Sequence, residues 1–334
     1  MSVHIVAELS GNHNNDSKHT KDTIYAMKES GADAVKIQTY KAESLSIDVD
    51  NKEFGPREDG PWKGMKPYDV FKKGALPYDW HEEIFDYCKQ LNIDIFSSPF
   101  DVQAVDFLES LNCSKYKVAS FEINHIPLLQ RISETKKPVV ISTGIAKIGE
   151  IERAISYFSK VDVTILKCTS AYPAKISESN LLNMIFLRDK FKVNTGLSDH
   201  TLGIEVALAA ASLGASLIEK HFILDKKLGG IDSAFSMEPK EFKKMVSMIR
   251  TIESSLGSYE FKLSDGSLLS RKRGRKIYII NNVQKDEIIT EKNISIIRGS
   301  HGIEPIYYYD ILGKKFVSDF QKGEPLTLDK ILDN

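Results

Sequence analysis

Four short apolar runs of this chain each carry a lysine close to the point where the run turns polar. These residues are Lys36, Lys117, Lys167 and Lys220. An ammonium group is rarely buried without a partner, because its removal from water costs several kcal/mol. A single lysine of this kind is explained by a side chain that extends to the surface. Four at equivalent places in successive repeating units predict cations that converge on an anionic ligand at one end of a parallel sheet.

Small hydroxyl side chains recur where such runs end. They belong to Ser98, Ser120, Ser142, Ser170 and Ser198. A phosphate group needs several hydrogen-bond donors and little steric bulk, and serine hydroxyls beside ammonium groups supply both. Taken singly, each serine is more often a turn or helix-cap residue. Together with Lys36 and Lys117 they predict a phosphorylated carboxylate ligand.

Two histidines, His200 and His221, stand at the ends of neighbouring predicted strands. Adjacent parallel strands would place their imidazoles side by side, where they could hold a divalent metal together with water and substrate oxygens. An open site with nitrogen and oxygen ligands suits a Lewis acid of the Mn²⁺ type. The alternative is a pair of hydrogen-bonded core histidines.

Three carboxylates, Glu8, Glu122 and Asp232, lie near the same strand ends. A carboxyl group in such a position can transfer a proton or polarise a bound molecule. Each of the three could instead be a salt-bridge partner of the lysines.

The elements that position these residues alternate between short strands and amphipathic helices. Strands are predicted at Val3–Glu8, Asp33–Gln38, Asp94–Ser97, Tyr116–Ser120, Val139–Ser142, Thr164–Lys167, Asn194–Leu197 and Ser216–His221. Helices are predicted at Lys18–Ser30, Trp80–Leu91, Val102–Leu111, Ile148–Phe158, Glu178–Phe191, Ile204–Leu213 and Pro239–Leu256. Eight such units predict an α/β fold, a (β/α)8 TIM barrel with its active site at the C-terminal strand ends. A doubly wound open sheet is the alternative.

Two further segments depart from the β/α alternation. Residues 40–78, rich in glycine, proline and charge, form a long excursion after the second strand, and loops of this length are often lids or binding loops. Near the C-terminus a polar stretch gives way to short strand-like runs. The expected organisation is a catalytic barrel at 1–258, a linker at 259–274 and a small β-rich domain at 275–334.

Composition limits the class of protein. The 334 residues carry a net charge of -1, with 42% hydrophobic and 27% charged residues, as in a globular protein. This balance favours neither a nucleic-acid nor a membrane partner. The three cysteines, Cys88, Cys113 and Cys168, lack CxxC spacing and are expected to be reduced and mostly packed thiols. With no signal-peptide pattern after Met1, a cytoplasmic protein is expected.

The motifs at the strand ends, taken in order, resemble those of the sialic acid synthase family over essentially the full chain. They are Ala7–His13, Val35–Thr39, Ser97–Asp101, Lys117–Glu122, Ser142–Gly144, Lys167–Pro173, Gly196–Thr201 and Glu219–Phe222. Residues 276–328 resemble the antifreeze-like (SAF) domain of that family, including Arg298 and Leu312–Lys315. Gly299 is a departure, because the family normally has proline after the arginine.

Two motifs resemble one branch of the family, the branch that forms pseudaminic acid. Phe121 stands between Ser120 and Glu122, where sialic and legionaminic acid synthases usually carry glycine. Gly229–Ser236 likewise resembles this branch. The resemblance implies a transferase that condenses phosphoenolpyruvate with open-chain 2,4-diacetamido-2,4,6-trideoxy-L-altrose and releases phosphate. A legionaminic or N-acetylneuraminic acid synthase is one alternative, and a non-catalytic sugar-binding protein is another.

The resemblance also implies roles for individual residues. Phosphoenolpyruvate would be held by Lys36, Lys117, Ser98, Ser120, Ser142, Ser170 and Ser198. The sugar would contact Gln38, Phe121, Tyr172, Asp232 and Arg298, while Glu8 and Glu122 assist proton transfer. His200 and His221 would hold a divalent ion, Mn²⁺, Mg²⁺ or Co²⁺. The implied assembly is a domain-swapped homodimer in which the SAF domain reaches the neighbouring barrel.

Overall fold

Short runs of β-branched and other apolar residues form eight parallel strands that close into a barrel. A computed structural model describes residues 2–332 of the chain. The strands are β1 (His4–Glu8), β2 (Ala34–Thr39), β3 (Asp94–Pro99), β4 (Tyr116–Val118), β5 (Val139–Ser142), β6 (Val163–Cys168), β7 (Asn194–Asp199) and β8 (Leu217–His221). β8 pairs back onto β1, with Glu8 opposite His221. The predicted α/β barrel is confirmed.

The helices that cover the barrel follow the strands in sequence. They are α1 (Ser17–Glu29), α2 (Ala42–Leu45), α3 (Pro67–Gly74), α4 (His81–Gln90), α5 (Val102–Ser110), α6 (Ile126–Glu134), α7 (Ile148–Ser156), α8 (Leu182–Phe191), α9 (Glu205–Ser212) and α10 (Pro239–Leu256). Side-chain caps fix several starts: Asp16 accepts a hydrogen bond from the His19 amide, and Asp101 accepts one from the Ala104 amide. Their apolar faces make the core outside the strands.

Sequence and structure differ at a few boundaries. The fourth strand ends at Val118 rather than Ser120, because Ser120–Glu122 forms a turn of 3₁₀-helix. The helix expected from Glu178 begins at Leu182. The pattern did not reveal α6, whose Pro127 is tolerated because it lies in the first turn.

The excursion after β2 is ordered and carries α2 and α3. Two buried histidines tie its end to the barrel. His13 Nε2 lies 3.1 Å from the Gly74 carbonyl oxygen, and His81 Nδ1 lies 3.1 Å from that of Pro77. The opposite nitrogen of His81 lies 2.9 Å from the Thr39 hydroxyl. A carbonyl oxygen only accepts, so Nδ1 of His81 carries the proton and the neutral ring satisfies both contacts.

The second compact unit begins at Ser258 and has its own small core. It contains α11 (Asp265–Arg271), β9 (Arg275–Ile279), β10 (Ile294–Arg298), α12 (Tyr308–Ile311), β11 (Lys315–Phe316) and β12 (Ile331–Leu332). β9 pairs antiparallel with β10, and β11 with β12. The expected small β-rich C-terminal region is confirmed.

The exact domain boundaries remain a prediction. The expected linker, 259–274, includes the short helix α11. Residues 333 and 334 of the expected C-terminal domain lie outside the described residues. Within residues 2–332, every helix is too short or too polar to cross a membrane.

Acid should weaken the barrel through His81. Burial lowers the pKa of this imidazole to about 4 from an ordinary 6.5, so the folded protein keeps it neutral. Between those values the unfolded chain binds a proton that the folded chain does not. Stability is therefore lost as pH falls from 6.5 towards 4, by about 3 kcal/mol at most for this group.

Urea unfolding at a series of pH values measures this effect. His81→Gln, which cannot titrate, should flatten the slope of unfolding free energy against pH between pH 6.5 and 4. His125→Asn is the matched control, because His125 is exposed and asparagine can still cap α6. An equal slope in wild type and His81→Gln would contradict the assignment.

Candidate active site

The carboxyl ends of the strands open into a cavity of about 980 Å³. Its lining contains most of the side chains that the sequence predicts for the site. These are Lys36, Gln38, Lys117, Ser120, Phe121, Glu122, Ser142, Ser170, Tyr172, Ser198, His200, His221 and Asp232. Glu8 and Ser98 are buried and contact Lys36, so they adjoin the same cavity.

A network of buried charges, Glu8, Lys36, Glu219 and Lys117, lies at the base of this cavity. The Lys36 ammonium is 2.8 Å from the Glu8 carboxylate and 3.4 Å from that of Glu219. The Lys117 ammonium is 3.7 Å from Glu219. Glu219 thus lies between the two lysines and holds both within reach of one ligand.

Burial and neighbouring charge compete in this charge network. Burial acts to raise the pKa of Glu219, but the Lys117 and Lys36 ammonium groups outweigh it and lower that pKa. Burial acts to lower the pKa of Lys36, but Glu219 and Glu8 outweigh it and raise that pKa. For Lys117 burial prevails and its pKa is lowered, although Glu219 opposes this. Of the two lysines, Lys117 is therefore the one whose charged form an added anion would stabilise more.

Hydroxyl groups surround the charge network. Ser98 Oγ accepts a hydrogen bond from Lys36 at 3.3 Å, and Ser198 Oγ donates one to Glu219 at 3.0 Å. The buried hydroxyl of Ser142 has no hydrogen-bond partner among residues 2–332. A buried, unpaired donor costs free energy, so a ligand that accepts from it gains affinity.

Gly144 lets two further hydroxyls converge. Its amide donates to Ser120 Oγ at 3.0 Å. A Cβ atom at this position would lie 2.1 Å from Ser170 Oγ and 2.9 Å from Ser120 Oγ. Any larger residue would therefore push these hydroxyls apart and change the shape of the lining.

The expectation that all four lysines converge is wrong for Lys167 and Lys220. Lys220 points away from the cavity and pairs with Asp199 at 2.6 Å, where both side chains are buried. Lys167 donates to the Cys168 carbonyl oxygen at 2.6 Å. Successive residues of a strand face opposite sides, so Lys220, between the cavity-facing Glu219 and His221, must face away from the cavity.

The two imidazoles lie as expected, with the ring centroids of His200 and His221 5.1 Å apart. His200 Nδ1 is 3.1 Å from the Thr169 carbonyl oxygen, so it carries the proton and leaves Nε2 free to bind a cation. His221 Nδ1 is buried and has no hydrogen-bond partner among residues 2–332. Burial lowers the pKa of His221 well below its ordinary value, and His200 adds to this, so the ring is neutral.

This donor set fits a divalent ion with an open coordination sphere. Metal–nitrogen bonds of about 2.1 Å allow two rings at this spacing to share one ion. No cluster of three or more His, Cys, Asp and Glu residues suited to a metal occurs within residues 2–332. The protein would therefore supply two imidazoles and leave the other positions to water and substrate oxygens.

Two carboxyl groups next to the cavity can exchange protons near neutral pH. Burial raises the pKa of Glu8 to about 7, with a further contribution from Glu219 that Lys36 opposes. Burial raises the pKa of Glu122 to about 7 as well, and its Oε2 atom has no hydrogen-bond partner among residues 2–332. Groups with such pKa values serve as general acids or bases.

A second group of polar residues, formed by Ser10, Gln38 and Asp232, also lines the cavity and could hold a polyhydroxylated ligand. Asp232 accepts hydrogen bonds from the Ser10 hydroxyl and, at 3.2 Å, from the Gly11 amide. Gln38 Nε2 donates to Glu8 at 3.0 Å and to Ser10 at 3.2 Å. Burial raises the pKa of Asp232, so its carboxyl group can share a proton with a ligand hydroxyl.

Aromatic side chains from the excursion and from later strand ends form one wall. Trp62 Nε1 donates to the Ile231 carbonyl oxygen at 2.8 Å, which joins the excursion to the segment after β8. Its ring centroid lies 6.0 Å from that of Tyr172 and 6.5 Å from that of Phe235. Phe121, also in the lining, is 60% exposed and available to a ligand.

Arg298 belongs to the second unit, where it ends β10 and is exposed. The following Gly299 packs against the Tyr278 ring, because an added Cβ would lie 2.0 Å from the Tyr278 hydroxyl oxygen. Proline at this position would meet the same ring. Glycine in place of the expected proline therefore leaves room for the Tyr278 ring.

The sequence reasoning missed Glu219 and Cys168, which both line the cavity. The sequence held a signal for Glu219, because it lies two residues before His221 on β8 and therefore faces the same side of the strand. Cys168 Sγ lies 3.8 Å from His200 Nδ1, so this thiol is part of the lining rather than a packed core residue. Cys88 and Cys113 are buried core thiols, as expected.

Comparison with known proteins accounts for both parts of the chain. Residues 23–261 match the NeuB family and residues 275–332 match the SAF domain. The chain is 43% identical over 331 residues to the pseudaminic acid synthase of Helicobacter pylori, covering 98% of this chain and 97% of that protein. It is 37% identical to the N,N'-diacetyllegionaminic acid synthase of Legionella pneumophila, covering 99% of this chain and 95% of that protein.

A solved relative shares the fold. The crystal structure of an N-acetylneuraminic acid synthetase from Leptospira borgpetersenii superposes with a TM-score of 0.73 at 30% identity. The match covers 81% of this chain and 90% of that chain. With its barrel, its cavity at the strand ends and its C-terminal SAF domain, this chain belongs to the NeuB family.

Proposed function

We propose that this chain is a pseudaminic acid synthase, a transferase that joins phosphoenolpyruvate to 2,4-diacetamido-2,4,6-trideoxy-L-altrose. The observation that carries the chemistry is the buried pair Lys36 and Lys117 beside the imidazoles of His200 and His221 in one cavity. The choice of sugar is supported by 39–43% identity to three pseudaminic acid synthases, against 36–37% for two legionaminic acid synthases. A cytoplasmic location fits, because phosphoenolpyruvate is made there.

Phosphoenolpyruvate binds over the charge network in this proposal. Lys36 and Lys117 neutralise its negative charges, and the hydroxyls around them donate hydrogen bonds. Those hydroxyls belong to Ser98, Ser120, Ser142, Ser170 and Ser198. Such a site binds an anion without any net positive charge on the protein, because its cations are already fixed before the ligand arrives.

The sugar binds above phosphoenolpyruvate in this proposal, against Gln38, Tyr172 and Asp232. Phe121 then lies near the 6-methyl group of the sugar. His200 and His221 would hold a divalent ion, Mn²⁺, Mg²⁺ or Co²⁺. When bound, that ion supplies Lewis-acid polarisation of the sugar aldehyde.

Bond formation joins the enol C3 of phosphoenolpyruvate to the aldehyde carbon of the sugar. The enol C2 becomes an oxocarbenium carbon and takes up water, and Glu8 or Glu122 accepts the proton that the water releases. The bond between C2 and the bridging oxygen then breaks, so phosphate leaves with that oxygen. The same carboxyl group returns this proton to the alkoxide that C–C bond formation leaves on the sugar, and the C2 hydroxyl gives its proton to the departing phosphate as C2 becomes a carbonyl carbon.

Phosphate release with purified protein tests the proposal. The altrose sugar and phosphoenolpyruvate should give phosphate and pseudaminic acid in equal amounts, whereas N-acetylmannosamine and the legionaminic acid precursor sugar should give far less. Exhaustive chelation should abolish turnover, and Mn²⁺, Mg²⁺ or Co²⁺ should restore it, because the imidazole pair needs its ion. Faster turnover of either rival sugar would replace the proposed substrate, and no turnover of any sugar would favour a binding protein.

Glu219→Gln should destabilise the protein without ligand and increase its response to phosphoenolpyruvate. The substitution keeps the shape of the side chain but leaves two buried ammonium groups less compensated, which costs about 3 kcal/mol or more. An anionic ligand restores the missing charge. Thermal unfolding should therefore show a lower Tm than wild type and a larger rise of Tm with phosphoenolpyruvate.

Ser198→Ala is the control for that experiment. It removes the hydroxyl that donates to Glu219 but leaves the charge of the network unchanged. Its Tm should rise with phosphoenolpyruvate by no more than that of wild type. A Glu219→Gln protein that is as stable as wild type would show that Glu219 does not hold the lysines.

We also propose a domain-swapped homodimer in which Arg298 serves the barrel of the neighbouring subunit. Its support is that Arg298 is exposed at the end of β10, in a unit with only a small core. A guanidinium group can form two parallel hydrogen bonds with a carboxylate or carbonyl group, which lysine cannot reproduce.

Mixed dimers decide the assignment. Arg298→Ala and His221→Ala chains are each inactive alone in this proposal. If Arg298 acts across the dimer, a mixed dimer places both lesions in one site and leaves the other site intact, so about half of the activity per dimer returns. Subunit exchange without any recovery would mean that Arg298 serves its own barrel or neither.

A further inference from the structure

We infer that Arg57, on the excursion after β2, selects the sugar by donating hydrogen bonds to the carbonyl oxygen of its C4 acetamido group. This inference rests on the proposed function. It assigns a specificity-determining residue on the barrel chain itself, distinct from the SAF-domain arginine. The argument depends on the surroundings of Arg57 and on the way the sugar must lie.

Arg57 is a cation at the mouth of the cavity that has no carboxylate partner among residues 2–332. Its side chain contributes to the lining and is exposed. It forms no salt bridge with any carboxylate of residues 2–332, although Glu53 also lines the cavity. The donors of its guanidinium group are therefore available to a ligand.

The position of Arg57 is fixed by its neighbours. Its amide donates to the Met65 carbonyl oxygen at 3.0 Å, and its own carbonyl oxygen accepts from the Gly64 amide at 2.9 Å, which closes a hairpin. The guanidinium carbon lies 5.3 Å from the ring centre of Trp62. Trp62 is in turn bound to the Ile231 carbonyl oxygen, so the hairpin is attached to the segment that carries Asp232.

The proposed reaction constrains how the sugar lies, because its aldehyde must reach the enol carbon of phosphoenolpyruvate. C1 must lie by His200 and His221 and above the lysines, deep in the cavity. The chain of carbons then runs towards the mouth, and the C4 acetamido group lies farther out than the one on C2. A planar amide can stack beside Trp62 while its oxygen accepts from the fork of Arg57. The C4 acetamido group is also what N-acetylmannosamine lacks.

A double-mutant cycle with two sugars tests the contact. The sugars are the altrose substrate and its analogue with a hydroxyl in place of the C4 acetamido group. Wild type should prefer the substrate at least about tenfold in kcat/KM, as expected for a hydrogen bond from a charged donor. In Arg57→Ala that preference should fall to near unity, mainly through a higher KM. Arg57→Lys should give an intermediate preference.

Lys63→Ala provides the matched control, because Lys63 is an exposed cation of the same hairpin that does not line the cavity. It should keep the wild-type preference. If Arg57→Ala loses activity equally with both sugars, Arg57 acts on another group and the inference is wrong. An unchanged preference in Arg57→Ala also overturns it. If wild type does not turn over the altrose sugar at all, the proposed function fails instead.

Discussion

The buried network of Glu8, Lys36, Glu219 and Lys117 is the constraint on which the rest of the site depends. Two ammonium groups can stay in the interior of a barrel only if carboxylates compensate them, and these carboxylates sit on β1 and β8. The positive charges of the two lysines are compensated unequally, because the carboxylate nearest to Lys117 is 3.7 Å away whereas the one nearest to Lys36 is 2.8 Å away. A ligand anion in the cavity would therefore stabilise the protein, because it adds negative charge beside Lys117, the less compensated lysine.

The parts of the site that could be predicted are those that follow from strand periodicity. Polar residues at the ends of apolar strands identified the barrel and the cavity lining, because parallel strands bring their carboxyl ends together. The same periodicity, applied strictly, would have separated Lys220 from Glu219 and His221, since alternate residues of β8 face opposite sides. Grouping lysines by type alone hid that distinction and left Glu219 unnoticed.

The parts that could not be predicted depend on contacts between distant segments. Trp62 meets Ile231 across 169 residues, and Asp232 meets Ser10 across 222. Neither pair has a pattern in the sequence, because the excursion is irregular and its path is set by tertiary contacts such as those of His13 and His81. Composition indicated that this segment was functional, but only the structure shows which side chains it delivers to the cavity.

The strand-end residues and the residues of the excursion also have different roles in the proposed function. In the proposed function, the strands supply the lysines and imidazoles that bind an anionic enol phosphate and an aldehyde. The excursion supplies Trp62 and Arg57, which line the same cavity and which we propose to contact the acetamido group of the sugar. A change in the excursion can therefore alter the choice of sugar without disturbing the charge network, because the two sets of residues share no salt bridge within residues 2–332. In the proposed function, the excursion therefore adds to a selection of the sugar that Phe121, directly after β4, also serves.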